Sequence, residues 1–431
     1  MKYGVNDLGN LWRYASVEAV RSMGMEKRRY LIWGVVLCAF VIGLIHRLSM
    51  GALADFLVRE LNYSGAALGF LTSATFYAYA LMQIPAGFLL DWLGVRKVCG
   101  VGLLLTALGS LMFSLTSTIW VAILGRVLVG IGNSGMMLSA FKVQADLFEP
   151  RQFPALSGIT SCCANFGALL AMFPFAVLVN KMGWRESFYL TSALTIALSI
   201  AVFLIVPKTE KTPSLSVKET INRLKSVLTN KQIWPPFGIM FTIMGIMTIL
   251  KGLWGIPYVM HVYSLDNVAA SRLLCMIPIG FMICGPLLGK ICEKVKGGVR
   301  TVSIVGSSLV AVSMLILVLF RAKPPEAIMP IFFIFVGFAG VTHILAFTKA
   351  KEVSPVALAG IATAVVNMGE FIGSSILGPV FGRILDVGWQ GQMVNNSRVY
   401  SQDSYAIVFA IATVLSIIAI FCSYKFKKAN E

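Results

Sequence analysis

Long apolar segments follow one another along almost the whole chain, and they constrain its fold more than any other feature. Each contains about 20 mainly apolar residues, the length that an α-helix needs to cross a bilayer. Together they predict twelve membrane helices, at 31–57, 66–90, 97–116, 119–145, 153–180, 187–206, 235–260, 268–291, 300–320, 327–349, 355–384 and 405–424. The sequence therefore predicts an all-α membrane protein.

Composition agrees with a chain that faces lipid. Hydrophobic residues make up 57% of the sequence and charged residues only 13%, against about 25% charged residues in soluble proteins. The net charge is +17, but the basic residues cluster at alternate ends of the apolar segments, so we expect the bilayer as partner and no nucleic acid. The eight cysteines lie in or beside apolar segments, a distribution that predicts neither a disulfide framework nor a zinc site. We expect no cofactor.

The distribution of Lys and Arg predicts the orientation. Of 36 such residues, 24 lie on the side of the N-terminus, eight on the opposite side and four inside predicted helices. Because basic residues are retained in cytoplasmic loops, we expect a multi-pass protein of the cytoplasmic (inner) membrane with both termini in the cytoplasm.

A polar stretch at 207–234 divides the chain into equal halves. We expect an N-terminal segment at 1–30, six helices at 31–206, six more at 235–424 and a tail at 425–431. Within the linker, residues 216–228 have the pattern of a short amphipathic helix.

The two halves resemble each other in sequence. Residues 174–184 begin with Pro and end with Gly-Trp, and residues 379–389 repeat this pattern 205 positions later. Two cations deep in apolar segments, Arg47 and Lys251, are 204 positions apart. A cation at mid-bilayer costs roughly 2.5–3.5 kcal/mol, so two at equivalent depths predict a positively charged site at the centre of a duplicated protein.

The loop after the second predicted helix reads Gly87-Phe-Leu-Leu-Asp91-Trp-Leu-Gly94-Val-Arg96-Lys97. Gly87 would allow close approach of another helix, Gly94 would allow a tight turn, and Asp91 can pair with basic residues or face a helix N-terminus. This loop resembles the signature of the major facilitator superfamily. The resemblance implies that the loop, with Asp91 and Arg96, latches the two halves together; a solvated turn is the alternative.

The resemblance extends over most of the chain and implies a fold and a mechanism. We expect two pseudo-symmetric six-helix bundles working by alternating access, with substrate bound between them at mid-membrane. Arg126, in Gly125-Arg126-Val-Leu-Val-Gly130, resembles the arginine motif of helix 4 and implies a structural or proton-coupling role; snorkelling to the interface is the alternative.

In this superfamily helices 1 and 7 line the cavity, so Arg47 and Lys251 resemble the paired cations of organophosphate and organic anion transporters. An anionic substrate would offset the cost of burying them. Alternatively, a protein carboxylate neutralises them, and Glu370 in predicted helix 11 is the obvious candidate. Glu370 could also carry a coupled proton, because an apolar cavity favours a protonated carboxyl group.

Four further residues are candidate substrate contacts. Asn165 is the repeat equivalent of Glu370, 205 positions earlier. Tyr79 and Gln83 lie four residues apart and share one face of a helix. His343 is an intramembrane histidine of helix 10. For His46 we favour a packing role over a role in the cavity. For Lys142 we favour snorkelling toward the cytoplasmic interface.

The sequence thus predicts a monomeric secondary transporter of a small organic anion, coupled to protons or to a counter-anion. An exporter of a polycarboxylate such as a citrate-type siderophore is the alternative. A non-transporting membrane sensor is an alternative of another class. An enzyme is disfavoured, since we find no nucleophile–base pair, metal motif or phosphate-binding loop.

Overall fold

The computed structural model describes residues 24–208 and 217–426, and this part of the chain is almost entirely helical. Eleven continuous helices in it are long and apolar enough to cross a membrane. The longest, Gly65–Leu115, is two spans, because Gly94 interrupts it with φ of +77°. The predicted number of twelve membrane helices is therefore confirmed, and Gly94 makes the expected turn.

The twelve spans are numbered α1 to α12 in chain order. Their bounds are α1, Met25–Leu48 and Met50–Leu61; α2 and α3, the two parts of Gly65–Leu115; α4, Ile119–Asn133 and Met136–Leu147; α5, Phe153–Met182; α6, Trp184–Ile205; α7, within Lys231–Tyr263; α8, within Asn267–Lys294; α9, Gly298–Leu319; α10, Met329–Gly340 and Leu345–Glu352; α11, Ala359–Val387; and α12, Gln402–Tyr424. A two-stranded hairpin, β1 (Met393–Val394) with β2 (Ser397–Arg398), precedes α12.

Several spans are irregular near their middle. Helix α1 is interrupted at Ser49, and α7 contains two π-helical turns, at Met240–Met244 and Leu250–Trp254. In a membrane such irregular backbone is tolerated only inside protein or beside a water-filled cavity. Other spans, such as α4 and α10, are interrupted too, but the interruptions in α1 and α7 lie beside Arg47 and Lys251, so the backbone is locally altered next to both central cations.

The predicted linker helix is present as Val217–Thr229. It lies against the second half: the Arg223 guanidinium donates to the Ala357 carbonyl at 3.4 Å, and just after the helix the Asn230 amide donates to the Val353 carbonyl at 2.9 Å. The linker thus packs beneath the turn between α10 and α11.

The two halves are in close contact on the side away from the termini. Helices α2 and α11 run antiparallel there, and the Ser73 hydroxyl donates to the Ser375 carbonyl at 2.6 Å. A β-carbon on Gly69 would overlap the backbone at Pro379. At the end of the contact, the Asp386 carboxylate accepts from the first backbone N–H groups of α2, at 2.8 and 2.9 Å. These contacts close this side of the molecule.

On the side where α1 begins and α12 ends, which we call the terminal side, the same helices separate. Gly87 of α2, Gly158 of α5, Gly289 of α8 and Gly360 of α11 each have open space where a β-carbon would stand. The expected close helix contact at Gly87 is therefore absent from this conformation, because α2 and α11 diverge before they reach it. At these four positions the helices are packed less closely than at Gly65 and Gly69 on the other side.

Candidate functional site

The contact between α1 and α7 brings the two central cations into one region. A β-carbon on Gly252 would lie 3.1 Å from Leu48 Cδ2, and one on Gly51 would lie 3.2 Å from the Leu253 carbonyl oxygen. Leu48 and Gly252 are therefore in contact across the two helices. Arg47 directly precedes Leu48, and Lys251 directly precedes Gly252. The glycines let the helices approach closely, and both cations lie next to the crossing.

Arg47 is covered by two aromatic rings, one from each half of the protein. Its guanidinium carbon lies 5.1 Å from the centre of the Tyr79 ring and 5.2 Å from that of Phe371. The two rings are themselves only 4.2 Å apart, and both side chains are buried. Arg47 is partly exposed. It thus combines a cation–π contact with a charged face that a ligand can reach.

Arg126 holds the backbone that carries Arg47. It is 1% exposed, which excludes snorkelling, and it donates to the carbonyls of His46 at 2.8 Å and Arg47 at 3.5 Å. These carbonyls precede the interruption at Ser49, where helix geometry leaves acceptors unpaired. Arg126 therefore supports the backbone beside Arg47, and its burial does not fit the alternative of an arginine at the membrane interface.

His46 points away from Arg47, into the first half. One ring nitrogen hydrogen-bonds the Ser110 hydroxyl at 2.8 Å and the other the Thr195 hydroxyl at 2.9 Å. Both ring nitrogens are thus used inside the bundle, and the preferred structural interpretation of His46 agrees with its contacts.

Lys251 lies within the second π-helical turn of α7 and is 5% exposed. Its ammonium stands 4.6 Å from the centre of the Phe281 ring. The other neighbour of that ring is His343, at 5.7 Å between centres, whose Nδ1 is hydrogen-bonded to the Gly340 carbonyl of its own helix. His343 therefore lies in the layer behind Phe281.

Glu370 is not the salt-bridge partner of Lys251. Its carboxylate accepts a hydrogen bond from the Thr248 hydroxyl at 2.8 Å, and its side chain is buried. Within residues 24–208 and 217–426, no carboxylate lies within 4.0 Å of the charged nitrogens of Arg47 or Lys251. Glu370 therefore acts on Lys251 through space and not through a direct salt bridge in this conformation, while Thr248, one helical turn away, donates to the carboxylate.

Two buried amide nitrogens beside the Arg47 cluster have no partner within 3.5 Å, although the Gln83 amide adjoins the Tyr79 hydroxyl. Gln83 is 2% exposed with an unpaired Nε2, and Asn367 is 6% exposed with an unpaired Nδ2. Gln83 was expected at the site; sequence reasoning missed Asn367. The available signal was its position four residues before Phe371, on the same face of α11.

Asn165 is placed less centrally than its repeat suggests. It is partly exposed and donates to the Ser161 carbonyl of its own helix at 3.0 Å. Its neighbour Phe166 is 48% exposed, whereas the repeat equivalents Glu370 and Phe371 are buried. The pair Asn165 and Phe166 in the first half is therefore partly exposed, whereas the equivalent pair in the second half is buried.

The signature loop makes its ion pair within the first half. Asp91 contacts Lys142 of α4 at 3.1 Å, and Lys142 also approaches Asp146 at 4.0 Å. Arg96 is partly exposed. Asp91 thus pairs with a basic residue as expected, and none of the described ion pairs joins it to the second half on the open terminal side.

Comparison with known proteins agrees with this architecture. Residues 35–379 match the sequence model of the Major Facilitator Superfamily. A solved bacterial homolog of the human lysosomal transporter Spinster, inward-facing and unoccupied, superposes with a TM-score of 0.71 at 17% identity, covering 94% of this chain and 98% of the other. At that identity the likeness concerns the fold.

Two curated relatives have transporter names. A probable sulfoacetate transporter of Cupriavidus necator is 27% identical over 39% of this chain and 40% of its own length. A probable L-galactonate transporter of Escherichia coli is 27% identical over 61% of this chain and 62% of its own length. These matches span less than two thirds of either relative. The family match covers most of the chain, and it identifies this multi-pass membrane protein as a member of the Major Facilitator Superfamily of transporters.

Proposed function

We propose that this protein is a secondary active transporter that moves a small organic anion across the cytoplasmic membrane by alternating access. The observation that carries the proposal is the pair of central cations, Arg47 and Lys251, without a carboxylate within 4.0 Å among the described residues. Intramembrane cations are costly unless compensated, and an anionic substrate compensates both.

The conformation supports alternating access about this site. Contacts of α2 with α11 close one side, and the glycines of the terminal side are free to pack when that side closes. We propose that the termini are cytoplasmic, so that this is the inward-open state, and that Asp91 and Arg96 latch the terminal side in the opposite state. The named substrates of the two relatives, sulfoacetate and L-galactonate, are both organic anions and agree with the charge of the site.

We assign proton coupling to Glu370. It is a buried carboxyl group on α11, and its Thr248 contact places it on the helix that carries Lys251. Protonation of Glu370 would remove a negative charge that acts on Lys251 and competes with the substrate for it. Transport would then depend on a pH gradient, and Glu370→Gln would transport by exchange without responding to that gradient.

The test is a binding screen with purified protein. Thermal unfolding is followed with a panel of organic carboxylates, sulfonates and phosphate esters, on the wild type and on Arg47→Ala. An anion that stabilises the wild type and fails to stabilise the variant supports the proposal, and its flux into proteoliposomes completes the test. If no anion distinguishes the two proteins, the anion site is wrong.

A further inference from the structure

We infer that Gln83 and Asn367 form a neutral hydrogen-bonding subsite that selects a hydroxylated organic anion, such as a polyhydroxy carboxylate. The inference rests on the proposed anion transport and names the substrate class. Its starting point is that both side chains are more than nine-tenths buried and each has an unpaired amide nitrogen. Buried donors in proteins are almost always paired, so two unpaired ones in the same region point to an absent partner.

The antiparallel register of α2 and α11 places the two amides together. Ser73 hydrogen-bonds the Ser375 backbone, and between one and two turns further along the Tyr79 ring lies on the Phe371 ring. Gln83 is four residues beyond Tyr79, and Asn367 is four residues before Phe371. The helices run in opposite directions, so Gln83 lies one turn from Tyr79 toward the terminal side, and Asn367 lies one turn from Phe371 in the same direction. The two amides are therefore at the same depth.

Gln83 and Asn367 lie next to the Arg47 site, at the depth where the close contact between α2 and α11 ends on the terminal side. Tyr79 and Phe371 cover Arg47, so the amides stand about one helical pitch, roughly 5–6 Å, from the Arg47 level. A ligand whose acidic group binds Arg47 would therefore present its next few atoms to Gln83 and Asn367. One turn further, Gly87 has open space around it.

The chemistry of the two groups favours hydroxyls over a second acidic group. An amide offers N–H donors and a carbonyl acceptor, and a hydroxyl can satisfy both. Two neutral amides provide no charge for a second carboxylate. The subsite therefore suits a compact anion with hydroxyls a few bonds from its acidic group.

The experiment compares gluconate with hexanoate, which has the same chain length and charge without the hydroxyls. Affinities are measured by calorimetry on the wild type, Gln83→Leu and Asn367→Leu, with Asn180→Leu as control. Asn180 is also an asparagine in a membrane helix, and its amide donates to the Ala176 carbonyl of its own helix. A site built to pair hydroxyls rejects analogues that lack them, so we expect gluconate to bind at least about 100-fold more tightly than hexanoate to the wild type.

In either amide variant we expect this ratio to fall at least tenfold while the affinity for hexanoate changes little; the control should keep the wild-type ratio. Thermal unfolding provides a second measurement. Replacing an unpaired buried amide by leucine should leave the midpoint unchanged or raise it, whereas a structural role would lower it. An unchanged ratio, or a lowered midpoint, overturns the inference.

Failure of the subsite and failure of the proposed function are distinguishable. If anions without hydroxyls bind as tightly as gluconate and lose affinity in Arg47→Ala, anion transport stands and the subsite is wrong. If no anion binds in a manner that depends on Arg47, both are wrong.

Discussion

The surroundings of Arg47 and of Lys251 differ, although the two residues occupy similar places in the repeated halves. Arg47 lies before an interruption of α1 that Arg126 holds through two backbone carbonyls, and rings from both halves cover it. Lys251 lies inside a π-helical turn of its own helix, beside the single ring of Phe281. Its neighbour Glu370 is held by Thr248.

This difference assigns distinct tasks to the two cations. The planar guanidinium of Arg47 has its backbone fixed and its face covered, which suits precise binding of a planar acidic group. Lys251 is a compact charge on a flexible stem, near a carboxyl group that can change partner. We propose that Arg47 anchors the anion and that Lys251 is the charge through which substrate and Glu370 communicate.

The largest effect is expected at the anchor. Arg47→Ala should lower transport of the anion by at least about 30-fold, because truncating one member of a buried charge pair costs roughly 2–5 kcal/mol. Arg47→Lys should recover little, since lysine cannot form the bidentate contact. Uptake into proteoliposomes measures the loss, and an unchanged thermal midpoint shows that the variant is folded. Near-normal uptake by Arg47→Ala would show that Arg47 is not the anchor of the anion.

Arg126→Met tests whether the anchor depends on its support. Two backbone carbonyls would lose a charged donor, at a cost of about 2–3 kcal/mol in stability, and the Arg47 side chain would lose its fixed position. We expect a lower thermal midpoint together with a raised KM for the anion. Leu124→Met, at a lipid-exposed position of the same helix, is the control and should change neither quantity. A raised KM without loss of stability would mean that Arg126 contacts the substrate.

Thr248→Val sharpens the role of Lys251. Without the Thr248 hydroxyl, the Glu370 carboxylate is free to approach Lys251 and compete with the anion. We expect an affinity about three- to tenfold weaker, in line with the roughly 1 kcal/mol of one hydrogen bond. Thr248→Ser keeps the hydroxyl and should retain the wild-type affinity. If Thr248→Val in a Glu370→Gln background shows the same loss, competition by Glu370 is excluded.

The smallest effect concerns the repeated pair of phenylalanines. Phe371→Ala removes a ring that covers Arg47 and should raise KM by about tenfold, close to the 1–2 kcal/mol of a partly desolvated cation–π contact. Phe166→Ala, its 48% exposed repeat equivalent, should change KM by no more than about twofold. Equal effects in the two variants would show that the halves contribute symmetrically to the bound state.

Local patterns predicted the framework of this protein correctly. The twelve spans were readable because length and apolarity are properties of each segment alone. The turn at Gly94 was readable as well, because a left-handed backbone favours glycine wherever it occurs. The offset of about 205 residues indicated a central pair of cations, because equivalent positions in duplicated helices lie at similar depths in the membrane.

Predictions of contacts between residues on different helices were less successful. Gly87 was expected in a close contact, but the conformation separates its helix from α11. Glu370 was one candidate partner for Lys251, and no sequence pattern indicated that its hydrogen bond would come from Thr248. Asn367 was overlooked because its importance depends on the register of α2 against α11. None of these outcomes is encoded in one segment.

The sequence by itself determined the membrane spans, the duplication and the central positive charge, since these follow from composition and spacing along one chain. Tertiary structure alone decided which carbonyls Arg126 binds, which hydroxyl holds Glu370, which amides remain unpaired and which side of the molecule is open. Each of these depends on how side chains from different helices meet, and a hydrogen bond is made or lost over about an ångström.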